Sequence, residues 1–80
     1  MKMYDFRGRR NICGDRIREA RQRARMSQSD LCRALQLAGV TVERDMISRI
    51  ENGSRFVADF EVVAVAEILD VSVDWLLGKS

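Results

Sequence analysis

The residues Arg44, Asp45, Ser48, Arg49 and Asn52 recur at spacings of three and four, so on a helix they would share one polar face. Met46, Ile47 and Ile50, between them, would form a narrow apolar edge on the other side. An arginine side chain is a planar fork of five donors that grips a phosphate or carboxylate through two parallel hydrogen bonds. The chain is rich in such groups: 12 of its 14 cationic side chains are arginines. They are unevenly placed. Residues 1–40 carry ten cations against four acids, a net of +6, while residues 41–80 carry four against eight, a net of −4. The formal charge of the whole is only +2, so the asymmetry rather than the total points to an anionic partner for one end. Arginine-rich helices are also often merely solvated or paired with acids, and charge alone leaves both readings open.

Other chemistries fit the residues poorly. Histidine is absent, and Cys13 and Cys32 are the only cysteines. Two thiols without an imidazole do not complete a zinc site, and neither has an obvious base beside it in sequence. The pair reads as two reduced, semi-buried thiols; a redox switch between them has no support beyond their number. No glycine-rich phosphate loop and no compelling carboxylate pair occurs. The expectation is a protein with no catalytic residues, no metal and no cofactor. No apolar run reaches the length of a membrane span, and the N-terminus lacks the apolar core of a signal peptide, so a cytoplasmic protein is expected.

With 80 residues, 46% of them apolar, the chain is expected to form one small domain with a modest core. Its glycines fall mostly between periodic segments, proline is absent, and the pattern is five short helices. Residues 1–13 read as an extension or basic arm, with Tyr4 and Phe6 available to pack on the body and Arg7, Arg9 and Arg10 carrying charge; residues 14–80 read as the domain proper. The first helix is expected from Asp15 to Arg25, with Ile17, Ala20 and Ala24 facing inward. The second starts after Ser27, a good N-cap, with Asp30 as a shortened capping-box partner. Leu31, Ala34, Leu35 and Ala38 would be its stripe and Gly39 its terminator. The third would begin between Val42 and Arg44, end at Asn52 and be followed by Gly53. The fourth would cover Asp59 to Leu69, capped by Asp59, with Val62, Val65, Ala66 and Leu69 inside. Its valine-rich run could suit a strand, but the length, the alanines and the lack of a pairing partner favour a helix. A last short helix would follow Ser72 and hold Trp75, Leu76 and Leu77.

Two short helices joined by a turn, the second with a thin apolar seam and a polar outer face, suggest a helix-turn-helix. Ile47 and Ile50 would hold the third helix against the first, second and fourth. The opposite face would then stand out, and a helix about 10–12 Å across suits a major groove about 12 Å wide.

The segments GDRIREARQRARMSQSDL, MISRIENGSR and VAEILDVSVDWLL occur in this order and cover about four-fifths of the chain. Together they resemble the Cro/cI-type (Xre-like) helix-turn-helix family, which includes lambdoid phage repressors. The resemblance implies an all-α, five-helix lambda-repressor-like DNA-binding bundle and a sequence-specific transcriptional regulator, most often a repressor, acting on double-stranded DNA as a homodimer. It implies a DNA-binding set of Ser27, Gln28, Arg44, Asp45, Ser48, Arg49, Asn52, Ser54 and Arg55. Gln28 would contact a phosphate and buttress the third helix, with Ser27 capping beside it. Arg44, Asp45, Ser48 and Arg49 would lie in the major groove, an arginine on guanine or Asp45 on cytosine. Asn52, Ser54 and Arg55 would meet phosphates. Arg21 and Glu51 would form a structural ion pair.

Plainer roles compete for some of these. Ser48 could bond back to its own helix, Asp45 could be an N-terminal helix charge facing away from DNA, and Arg49 could hold a phosphate. The stretch QLAGVTVERDM is several residues longer than the family's usual turn, so either the second helix is longer or the connection is wider. Trp75, Leu76 and Leu77, or Phe56 and Val57, are candidates for self-association, although Trp75 and Leu76 would also serve to close the core. An alternative function is a protein-interaction module, an antitoxin or adaptor that binds a partner protein through its C-terminal patch.

Overall fold

A computed structural model describes residues 6–79 as five helices: α1 (Gly14–Arg23), α2 (Gln28–Leu37), α3 (Arg44–Glu51), α4 (Asp59–Leu69) and α5 (Val73–Leu76). None of them is long and apolar enough to cross a membrane. One apolar cluster joins them all, built on Ile17, Leu31, Leu35, Ile47, Ile50, Val62, Val65, Leu69 and Leu76. Cys13 and Cys32 belong to this core as free thiols, and burial pushes the Cys13 thiol up from its ordinary pKa.

Helix α1 stops two residues before the expected end. Arg25 adopts a left-handed conformation (φ 58°), and the amides of Arg25 and Met26 turn back to the carbonyls of Gln22 and Arg21. Ala24 therefore leaves the helix and is exposed, while Ile17 and Ala20 are buried as their spacing suggests. Helix α2 opens with the complete capping box: the Asp30 amide donates to the Ser27 hydroxyl and the Ser27 amide to the Asp30 carboxylate, each at 2.9 Å. Its buried residues are Leu31, Cys32 and Leu35; Ala34 is half-buried, and Ala38 lies beyond the last turn, exposed.

The long connection between α2 and α3 is a wider loop, not an extra helical turn. Gly39 ends α2 in the left-handed region (φ 89°), and the Val40 amide bonds back to Leu35. The loop then turns inward at Val42, which is only 4% exposed. The Val42 carbonyl accepts from the Gln36 side chain at 2.9 Å. Val42 thus plugs the core from outside a helix, and α3 begins at Arg44 with Glu43 as the cap residue.

Helix α3 packs chiefly on α1 and α2, and α4 holds it less than the sequence suggests. At the start of α4 the cap position belongs to Ala58, not Asp59. Alanine has no side-chain acceptor, and the Glu61 carboxylate compensates by accepting from the Ala58 amide at 2.9 Å. Helix α5 is capped by Ser72, whose hydroxyl accepts from the Trp75 amide. Leu76 is fully buried. Trp75 lies beneath the guanidinium groups of Arg16 and Arg23, 4.6 and 5.6 Å from the ring centre. Trp75 and Leu76 thus close the bundle.

Ile47 is the side chain through which α3 enters the core, at 1% exposure. Ile47→Ala should cost about 3 kcal/mol, from lost transfer energy plus the cavity left behind. Urea titration followed by Trp75 fluorescence measures this; a loss below about 1 kcal/mol would mean that α3 is not held by this edge.

Candidate nucleic-acid interface

The inner side of α3 carries a charge as well as two isoleucines. Glu51, in its last turn, is 1% exposed and takes hydrogen bonds from two other helices. Arg21 of α1 grips it through both oxygens, Nε to Oε2 at 2.7 Å and Nη2 to Oε1 at 3.1 Å. Gln28, the first residue of α2, donates its side-chain amide to Oε1 at 3.1 Å. Arg18 approaches the same oxygen at 3.4 Å. The third arm of the Arg21 fork donates to the Met26 carbonyl at 2.8 Å, which fixes the turn between α1 and α2. Burial works against the Glu51 charge, but the bonds from Arg21 and Gln28 outweigh it and hold the carboxyl below its ordinary pKa. The same bond to Glu51 raises the pKa of Arg21. Gln28 is thereby committed to bracing α3, and Glu51 is directed away from solvent.

With Ile47, Ile50 and Glu51 turned inward, the opposite face of α3 is bare. Arg44, Asp45, Ser48, Arg49 and Asn52 are all exposed and follow one another along the helix. Arg49 and Asp45, one turn apart, form an ion pair at 3.0 Å with both side chains more than half exposed. Such a pair contributes little to stability. Its cost to break is correspondingly small, so Arg49 can exchange Asp45 for another acceptor. Arg44 stands at the N-terminus of α3 and makes no ion pair among the described residues.

Around this face the other sequence-derived residues fall into two groups. Ser27, Asn52 and Ser54 are exposed. The Ser27 hydroxyl caps α2, while the Asn52 side chain accepts from the Ser54 amide at 3.0 Å and shapes the loop after α3. Arg55 is different. Its guanidinium holds both oxygens of buried Glu61 at 3.1 and 3.2 Å and the Phe56 carbonyl at 2.8 Å. It binds the α3–α4 loop to α4, and its partly exposed guanidinium is held by these partners. Burial opposes the Glu61 charge, and the bonds from Arg55 and the Ala58 amide prevail, so this carboxyl too is held below its ordinary value.

Sequence reading did not foresee how residues 9–14 clasp the far end of α3. Asn11 and Arg10 bond to carbonyls in and after the helix, and the Arg9 guanidinium covers Gly53. The basic arm is therefore tied down from Arg9 onward. Phe6 and Arg9 close a two-residue turn at whose tip Arg7 and Gly8 both have positive φ. Phe6 is exposed, not packed on the body, and Tyr4 lies outside the described residues.

A thin inward edge, an uncovered polar face and a preceding brace helix are the parts of a helix-turn-helix, and comparison with known proteins agrees. A family model described as a helix-turn-helix domain matches residues 13–76. The chain belongs to that family. Among solved structures it is similar to the P22 c2 repressor in complex with a synthetic operator, with a TM-score of 0.71 and 26% identity over 88% of this chain and 98% of that one. It is also similar to the restriction-modification controller protein C.AhdI from Aeromonas hydrophila, with a TM-score of 0.68 and 28% identity over 80% of this chain and 89% of that one. Comparison with curated proteins returns no match. The fold is the lambda-repressor-like five-helix bundle, and this helix-turn-helix protein of Cro/cI type is a DNA-binding transcriptional regulator.

The two buried carboxylates make stability depend on pH. Each has a folded pKa below its ordinary value of 4.5, so each stabilises the fold fully above that value. The contribution is lost as pH falls through the lower folded value. Urea midpoints should therefore drop from pH 6 to pH 3. Glu51→Gln should lower stability by roughly 3 kcal/mol at pH 7, because Arg21 loses its charged partner, and should flatten the acid slope. An unchanged slope would contradict the role assigned to Glu51.

Proposed function

We propose that the protein is a sequence-specific repressor that lays α3 in the major groove of an operator and excludes competing proteins from it. The carrying observation is the exposed strip Arg44, Asp45, Ser48, Arg49 and Asn52 on a helix whose other side is fixed by Ile47, Ile50 and Glu51. In this reading Arg49 and Arg44 read base edges, with a guanine O6/N7 pair as the best acceptor for a guanidinium. Asp45 either accepts from cytosine or orients Arg49 through the existing ion pair. Ser48 and Asn52 complete the strip. Ser27 and Ser54, and the amides beside them, meet the flanking phosphates, with Gln28 at the margin. Arg55 contributes by holding the loop through Glu61. Residues 14–80 are the DNA-binding domain in this reading, and residues 1–13 an extension to it.

The reading extends to a homodimer in the cytoplasm, working on the nucleoid. One short helix meets too few bases to define an operator, and two half-sites about 34 Å apart are the geometric remedy. Leu76 is buried and Trp75 half-covered, which leaves the C-terminal patch little to offer a second copy. Phe60 at 63% and Val63 at 47% exposure on α4, with Phe56 before them, make a better apolar surface. The likeness to the P22 c2 repressor, solved in complex with an operator, supports the same assignment. The proposed activity is binding, not catalysis.

Selection of bound fragments from random duplex DNA, followed by footprinting, tests this. The expected result is a two-fold symmetric consensus whose affinity falls steeply with salt, by several decades of K per decade of concentration. Arg49→Ala should cost about tenfold or more on the consensus and relax the preference at one base pair. Equal losses on all sequences would make Arg49 a phosphate contact. Absence of any consensus, with a stoichiometric protein partner retained by the Phe60 face, would replace this reading with the protein-interaction one.

A further inference from the structure

Asn11 precedes α1 in sequence, yet two of its three side-chain bonds go to the last turn of α3 and the loop after it. Its side-chain amide has two hydrogens, and both are used: one reaches the Ile50 carbonyl at 3.0 Å, the other the Arg55 carbonyl at 2.8 Å. Its oxygen accepts from the Gly14 amide at 2.8 Å. One side chain therefore joins the last turn of α3, the end of the following loop and the start of α1. The neighbouring contacts point the same way. The Arg10 amide donates to the Gly53 carbonyl at 2.7 Å. Arg9 lies so tightly over Gly53 that a Cβ there would sit 2.5 Å from its Cζ, and a Cβ on Gly14 would fall 2.2 Å from the Ile50 carbonyl. At Gly14 backbone meets backbone, with no side chain between to absorb a shift.

The Ile50 carbonyl is one of the last four of α3, which have no partner within the helix, and it accepts from the Gly53 amide as well as from Asn11; the Gly53 and Arg55 carbonyls belong to the loop that follows. Helix α3 has eight residues, a length of about 12 Å, so its direction is set by what holds its two ends. Val42 and the α2–α3 loop anchor the first end. Glu51 braces the inner side. Asn11 adds a polar tie from outside the three-helix junction that joins the second end to the loop at Arg55.

We infer that Asn11 is a positioning residue for DNA recognition: it sets the angle of α3 and the course of the loop after it, and touches no DNA itself. The inference rests on α3 being the reading helix. The chemistry requires asparagine in particular. Aspartate would keep the bond from Gly14 but lose both donors and place a negative charge against the negative end of α3. Serine would keep a short acceptor and cannot span two carbonyls. A small rotation of α3 moves Arg44, Ser48 and Arg49 relative to base edges, whose readout depends on hydrogen-bond distances. Phosphate contacts through flexible side chains tolerate the same movement.

The test uses the full chain with two duplexes, the selected consensus and an unrelated sequence, well below the unfolding temperature. Asn11→Ser should weaken binding to the consensus by about tenfold while affinity for the unrelated duplex and the salt slope stay as in wild type. Arg9→Lys, which keeps the charge but not the flat cover over Gly53, should show the same pattern in milder form and serves if Asn11→Ser does not fold. Wild-type affinity for both duplexes, whatever the unfolding temperature does, would leave Asn11 a purely structural residue and overturn the inference. Equal weakening on both duplexes would make it a DNA contact and overturn it too. A wild-type protein that does not distinguish the duplexes would instead refute the reading of α3, and the positioning role with it.

Discussion

One carboxylate ties this fold together. Glu51 sits at the end of α3, out of reach of water, and a charge in that position is unfavourable unless it is paired and hydrogen-bonded. The partners are a guanidinium fork from α1 and an amide from the first residue of α2. Three helices thus converge on two oxygen atoms. Well-packed apolar groups in the same space often match or exceed the stability of such a pair, since desolvation of the two charges offsets much of their attraction. An apolar contact has no direction, however, whereas a bidentate pair does. The bonds define which side of α3 faces the body, and by exclusion which side does not.

Everything distinctive about the outer face follows from that constraint. A helix of eight residues has room for about two turns, and three inward positions use up one edge. Apart from half-buried Met46, the remaining side chains are polar and exposed, and their internal bonds are weak ones: an i,i+4 ion pair between Asp45 and Arg49, and a side-chain bond that shapes the turn at Asn52. The strong interactions lie inside and the exchangeable ones outside, which is the distribution a surface needs to trade its own partners for those of DNA. Arg55 marks the boundary. It follows the strip closely in sequence, but its bidentate hold on Glu61 places it with the inner, structural set.

Much of this was legible in the residues. Periodicity located α1, α2 and α4 to within two residues, and punctuation residues marked α2, α3 and α5: Ser27 with Asp30 and Gly39 around α2, Gly53 after α3, and Ser72 before α5. The Arg21–Glu51 pair and the bracing role of Gln28 came with the family resemblance, since no pattern in a single sequence links positions 30 apart. Where local reading failed, tertiary contacts had taken over. Ala58 has no capping side chain, yet holds the cap position because Glu61 reaches back to it. Arg25 ends α1 in a conformation usually left to glycine, one residue before a carbonyl that Arg21 holds. Val42 is core without being helical, so the start of α3 stayed ambiguous. The Asn11 junction had no signal at all: an asparagine ahead of a Cys-Gly pair looks like an ordinary helix entry, and its partners lie 39 and 44 positions away.

The most direct test of the account is an NMR titration of the labelled protein with its selected duplex. Amide signals from Arg44 to Ser54, and those at Ser27 and Gln28, should move most, with the guanidinium resonance of Arg49 among them, while the Trp75 indole and the amides of α5 stay in place. The largest changes appearing instead at Phe60, Val63 and Trp75, with α3 undisturbed, would show that the clamped helix is not the part that meets DNA.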